Sequence, residues 1–127
     1  MSTTFNPRSG LIIVPVAVEG PSGSAVLRLA FDTGATGTLI NTGMLVALGY
    51  DPALNSNRIQ VTTGSGVEFV PEILLHKLTA LGHERTLFPV LGHTLPPSAG
   101  VDGLLGLDFV RNQILTIDFQ SGTITLI

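Results

Sequence analysis

The residue type best suited to chemistry in this chain is a carboxylate, Asp32, in the run Phe31-Asp32-Thr33-Gly34-Ala35. An apolar stretch at residues 25–31 delivers it, as a strand would deliver an acid to the floor of a cleft. Gly34, with no side chain, lets its backbone approach the carboxylate closely and present an N–H to it. Thr33 brings a hydroxyl able to donate and accept hydrogen bonds and to lock the loop from behind; Thr36 and Thr38 add two more hydroxyls nearby. Asp and Gly also dominate ordinary turns, so the tripeptide gains meaning only from what surrounds it.

The other reactive residues make weaker patterns. His76, His83 and His93 have neither the i, i+4 nor the i, i+2 spacing that sets two metal ligands on one face, so no metal or cofactor is expected. No serine lies in G-x-S-x-G, and the glycines from 34 to 43 match neither phosphate-cradling pattern. With no cysteine, the chain has no disulfide, thiolate ligand or thiol nucleophile. A net charge of -3 supplies no basic stripe, which argues against nucleic acid as a partner.

The elements that must position Asp32 read as β-structure. Fifteen glycines and eight prolines punctuate short β-branched runs, without long helical periodicity. Residues 11–18 and 25–31 are expected as strands joined by a turn-rich loop at 19–24, and residues 38–40 as a short strand. Asn41 is a candidate N-cap for a helix through Leu48, closed by Gly49. Residues 55–57 read as polar loop. Two alternating runs, 58–63 and 67–70, flank Gly64-Ser65-Gly66 and predict a hairpin. Further strands are expected at 73–81 and 84–91, an irregular loop at 96–100, and a second hairpin over 114–119 and 123–127.

At 127 residues, 44% of them apolar and 12% charged, the chain has enough material for a core and the length of one domain, residues 1–127. The low charge fraction also suggests apolar surface covered by a partner. The longest apolar run, at 11–18, is too short to cross a bilayer, and residues 1–10 lack a signal-peptide layout. A soluble, cytoplasmic protein without membrane contact is the expectation.

The order of motifs resembles one family. Phe31-Asp32-Thr33-Gly34-Ala35-Thr36-Gly37-Thr38 fits the D-[TS]-G-A-x-x-[ST] pattern of retropepsin-like aspartic proteases. Asp102-Gly103-Leu104-Leu105-Gly106-Leu107-Asp108-Phe109 is similar to that family's apolar-apolar-Gly element, which threads behind the active-site loop before a short helix. Between them lies the Gly64-Ser65-Gly66 hairpin, where the family carries its substrate-covering flap. The pattern is closer to bacterial and other cellular members than to viral ones. Viral members carry an acid after D-T-G-A and an arginine after the apolar-apolar-Gly; here Thr36 and Leu107 stand there, so that ion pair is missing.

The resemblance implies an all-β fold, a closed retropepsin-like barrel with one or two short helices. It implies an aspartic endopeptidase with Asp32 as the catalytic residue, Thr33, Gly34 and Ala35 as loop support, and Gly64, Ser65 and Gly66 over a peptide or protein substrate. Catalysis in that family takes two carboxylates, and this chain has one D-T-G. A homodimer with one Asp32 per subunit follows. Asp102 reads as a turn or surface residue, Asp108 as the cap of the helix it begins, and residues 122–127 as the dimer contact. The alternative is a non-catalytic dimerisation or peptide-binding module that keeps the fold.

Overall fold

The computed structural model describes residues 1–54 and 57–127, so residues 55 and 56 of the expected polar loop lie outside the described residues. Among the described residues, ten strands and two short helices follow one another: β1 (Ser2–Thr4), β2 (Ile13–Gly20), β3 (Gly23–Phe31), β4 (Leu39–Asn41), α1 (Thr42–Ala47), β5 (Arg58–Thr63), β6 (Gly66–Ala80), β7 (His83–His93), β8 (Gly103–Leu105), α2 (Leu107–Val110), β9 (Leu115–Asp118) and β10 (Thr123–Leu126). Single 3-10 turns occupy Pro52–Leu54 and Pro97–Ala99.

Six strands close on themselves in the order β2-β3-β8-β4-β7-β6, and β6 returns to β2. β5 extends the sheet outward from β6. Inside lie Val14, Val16 and Val18 of β2, Leu27 and Leu29 of β3, Leu75 and Leu78 of β6, Leu105 and Phe109, all buried. Along β2 every second residue is buried, the alternation of a sheet with one face on a core.

β6 is longer than expected: residues 67–70 and 73–81 belong to a single 15-residue strand that carries Pro71 within it. Its inward residues change parity partway, from Ile73 and Leu75 to Leu78 and Ala80. The pairing with β7 skips His76 and Leu87, and Leu87 takes a φ of 50°. The bend turns Lys77–Thr79 onto Ala17–Glu19 of β2 and closes the barrel. Tyr50 seals this seam: its hydroxyl accepts from the His76 N–H at 2.8 Å and donates to the Glu19 carbonyl at 2.8 Å.

β2 and β3 run further into their connection than expected, leaving Pro21-Ser22 as the turn. The helix after Asn41 forms as read, with the Asn41 side chain accepting from the Gly43 N–H and Gly49 taking a φ of 95° just beyond the helix.

A second, three-stranded sheet has the order β1-β10-β9. β1 goes beyond the elements expected from the sequence. β10 has β1 on one side and β9 on the other within the same chain, so its two edges are already paired. The open edges of this sheet belong to β1 and β9.

Candidate active site

β3 ends at Phe31 and hands the chain to Asp32, which is half-buried at the mouth of a tight loop. The Asp32 N–H donates to the Leu105 carbonyl of β8 at 3.0 Å, and the Ala35 N–H closes the turn onto the Asp32 carbonyl at 3.1 Å. The Gly34 N–H donates to Asp32 Oδ1 at 2.8 Å, which orients the carboxylate. A Cβ on Gly34 would meet that same oxygen at 3.1 Å, tighter than an ordinary contact, so the carboxylate would have to shift by a few tenths of an ångström.

Behind the loop, β8 and α2 pass through in the order Leu105-Gly106-Leu107-Asp108. The Leu107 N–H donates to Ala35 O at 2.9 Å and the Asp108 N–H to Thr36 O at 3.2 Å. A Cβ on Gly106 would lie 2.8 Å from Ala35 O and 2.7 Å from the Gly37 carbonyl carbon, backbone atoms that cannot give way. Only a glycine lets the two segments stack so closely.

The loop is locked by Thr38, not by Thr33. Thr38 is fully buried. Its N–H donates to Asp108 Oδ2 at 3.0 Å and its hydroxyl to Asp108 Oδ1 at 2.7 Å, while the hydroxyl accepts from the Gly106 N–H at 3.1 Å. One threonine and one carboxylate thus tie the Asp32 loop to the segment behind it. Thr33 is exposed, and among the described residues its hydroxyl has no hydrogen bond within the chain. Asp108 also departs from its expected role: the N-cap of α2 is Gly106, and the Asp108 carboxylate serves Thr38, 70 residues away in sequence. Asp102 is structural, with Oδ2 accepting from the Arg28 N–H at 2.8 Å where β3 meets β8.

The sequence-predicted residues fall into two groups. Asp32, Thr33, Gly34 and Ala35 share the loop; Gly64, Ser65 and Gly66 sit on the exposed tip of the β5–β6 hairpin, where Gly66 has a φ of 131°. That hairpin reaches past the last β6–β7 pair, Glu72 with Leu91. At its base lies an open groove of about 480 Å³, lined by Thr42, Arg58, Glu68, Phe69, His93 and Thr94 among others, and by no residue of the Asp32 loop.

The histidines are spread over separate neighbours. His76 stacks edge-on against Tyr50, His83 Nε2 lies 2.8 Å from Leu126 O, and His93 Nε2 lies 3.6 Å from Glu68 Oε2. Among the described residues, no group of three His, Cys, Asp or Glu side chains could hold a metal ion, and no helix is long and apolar enough to cross a membrane.

A closed β-barrel with an Asp-Thr-Gly loop braced from behind by an apolar-apolar-Gly segment defines the retropepsin-like class of aspartic protease folds. The sequence profile of a family described as aspartyl protease matches residues 14–109, and the chain belongs to that family. Among solved structures, a retropepsin-like aspartic protease from Rickettsia conorii is similar with a TM-score of 0.74 and 18% identity, over 99% of this chain and 89% of that one. The retroviral protease-like domain of Ddi1 from Leishmania major is similar with a TM-score of 0.56 and 16% identity, over 94% of this chain and 96% of that one. A sequence search of curated proteins found no match.

Proposed function

We propose that this chain is a single-domain aspartic endopeptidase that works as a homodimer, with Asp32 from each copy meeting across a two-fold axis. The observation that carries the reading is the state of the acids around the loop. Asp32 is held by the Gly34 N–H at the mouth of the loop, whereas Asp102 is engaged with Arg28 and Asp108 with Thr38. A second catalytic carboxylate must therefore come from another chain, and a second copy supplies an identical one. Thr33 and Gly34 are exposed beside Asp32, which leaves this side of the loop open to such a copy.

Two carboxylates brought close cannot both carry charge comfortably, so they share a proton. The ionised one takes a proton from a water as that water attacks the peptide carbonyl carbon, and the protonated one donates to the carbonyl oxygen. The resulting tetrahedral species collapses with proton transfer to the leaving nitrogen, breaking the C–N bond. No metal or cofactor takes part in this scheme. The substrate is an extended peptide beneath the Gly64-Ser65-Gly66 hairpin, held largely by main-chain hydrogen bonds with alternate side chains in pockets.

The test is digestion of casein or a peptide library from acid to neutral pH, with Asp32→Asn as control. The variant should lose about 10²–10⁴-fold in rate. Mixing wild type with Asp32→Asn in equal amounts under subunit exchange should leave about one quarter of the dimers with two aspartates. Activity falling only in proportion to the wild-type chains would refute a shared site. Cleavage unchanged by Asp32→Asn would overturn the protease assignment, and a dimer without any cleavage would favour the non-catalytic module.

A further inference from the structure

We propose that Glu68 and His93 form a proton-dependent clasp that holds the β5–β6 hairpin against the barrel wall. The proposal rests on reading that hairpin as the cover of the substrate cleft, but its physical basis is independent of catalysis.

The hairpin is an arm on a fixed wall. β6 parts from β7 at Glu72 and Leu91, and beyond that point the arm is paired with itself, from Arg58 with Pro71 to Thr63 with Gly66. β7 continues past the parting point, because Gly92 and His93 pair in parallel with Ile40 and Asn41 of β4. His93 is thus anchored in the barrel, while Glu68 lies on the arm, four residues beyond the parting point. Its carboxylate returns across the groove to within 3.6 Å of the imidazole. Gly92 packs closely at the parting point: a Cβ there would lie 3.1 Å from Leu45 Cδ1 and in ordinary contact with Pro71 at 3.5 Å.

The pair suits a reversible fastening. The side chains are 36% and 47% exposed, so the attraction is modest and easily broken. One partner is a histidine, a residue type that gains charge as pH falls through about 8 to 5. With the imidazole protonated the pair attracts as opposite charges and tightens; with it neutral the clasp slackens.

The other charged groups are few. Arg58 of β5 lines the same groove and donates to Pro52 O at 3.3 Å. Glu72 of β6 accepts from the Asn57 side chain at 2.8 Å. β4 and α1 bring Asn41 and Thr42, which are uncharged, and Thr94 follows His93. Among the described residues lining the groove, Arg58 is the one other charged side chain that could draw the Glu68 carboxylate away once His93 is neutral.

Amide hydrogen exchange on the full chain tests the clasp without requiring activity. After correction for intrinsic rates, peptides from residues 58–71 should be about two- to fivefold better protected near pH 5.5 than near pH 8, the range an exposed ion pair supplies. Peptides from β2 and β3 should show no such change. Glu68→Gln and His93→Gln should each abolish the difference, and the double variant should add nothing further. Equal protection of the wild-type arm at both pH values would overturn the clasp. So would a pH dependence that survives in both variants. A chain that cleaves nothing yet shows the dependence supports the clasp and sinks the protease reading, and a chain that cleaves without it does the reverse.

Discussion

Replacing Thr38 with valine keeps the shape of a fully buried side chain and removes one oxygen, so its cost can be worked from three hydrogen bonds. The Asp108 carboxylate loses the hydroxyl that donates to it at 2.7 Å. A hydrogen bond to a carboxylate contributes about 1.5–3 kcal/mol. The Gly106 N–H, which donates to that hydroxyl at 3.1 Å, is left buried without its acceptor, at a further cost of about 1–3 kcal/mol. The third bond, from the Thr38 N–H to Asp108 Oδ2, survives and limits the damage. The extra methyl recovers about 0.8 kcal/mol of burial. Because the bonds share atoms the terms do not simply add, and a net loss of about 2–4 kcal/mol is expected. Urea unfolding should show a midpoint lower by about 1–2 M with an unchanged slope of about 2 kcal/mol/M. Measurement at two protein concentrations separates chain stability from dimer mass action. A loss below about 0.5 kcal/mol would refute the claim that Thr38 is the lock of the Asp32 loop.

Two further outcomes follow from the same geometry. Tyr50→Phe should cost about 1–3 kcal/mol in urea unfolding, because the His76 N–H and the Glu19 carbonyl at the barrel seam both lose a partner. The Asp118 carboxyl is held below the usual carboxylate range by the Ser121 N–H, then by the Ser121 hydroxyl and the Gln120 N–H. A lowered folded-state value means stabilisation that is present above the unfolded value, about 3.9, and lost as pH falls through the folded one. Asp118→Asn should therefore flatten the acid side of a plot of urea midpoint against pH; an acid side as steep as in the wild type would refute the assignment.

What the sequence made legible was what is local. Asp32, Gly34 and the two hairpins announce themselves through turn residues between alternating runs, and Asn41 and Gly49 mark the ends of α1 by cap chemistry. What it hid depends on partners far along the chain. β1 is Ser2-Thr3-Thr4, with no apolar alternation to reveal it, and becomes a strand because β10 lies beside it. Pro71-Glu72 reads as a break, yet the strand runs through, since antiparallel pairing with β5 reaches Pro71 and pairing with β7 takes over at Glu72. Asp108 at the start of a helix reads as a cap, but a threonine 70 residues earlier offers its carboxylate both an N–H and an O–H. Thr33, next to the aspartate, reads as the lock; the residue that ties the loop is Thr38, five positions further on, where burial makes the hydroxyl valuable.

The two halves of the candidate site are built to opposite mechanical standards, and the placement of polar groups explains how. The Asp32 loop is tied by a buried threonine, a carboxylate and a glycine, Gly106, whose replacement would strike backbone. Any displacement there leaves polar groups unsatisfied away from water, so the loop has one favoured position. The arm carries its fastening in the open, between side chains that water can solvate as readily as they bind each other, so its position shifts at little cost. In the proposed dimer, a carboxylate that meets its twin in register requires the first condition, and a cover that admits an extended chain requires the second. Exchanging the two, with the exposed pair at the loop and the buried lock at the arm, would leave a wandering acid beneath a cover that could not lift. A rigid acid beneath a loosely fastened cover is the distribution of burial that the proposed peptidase requires.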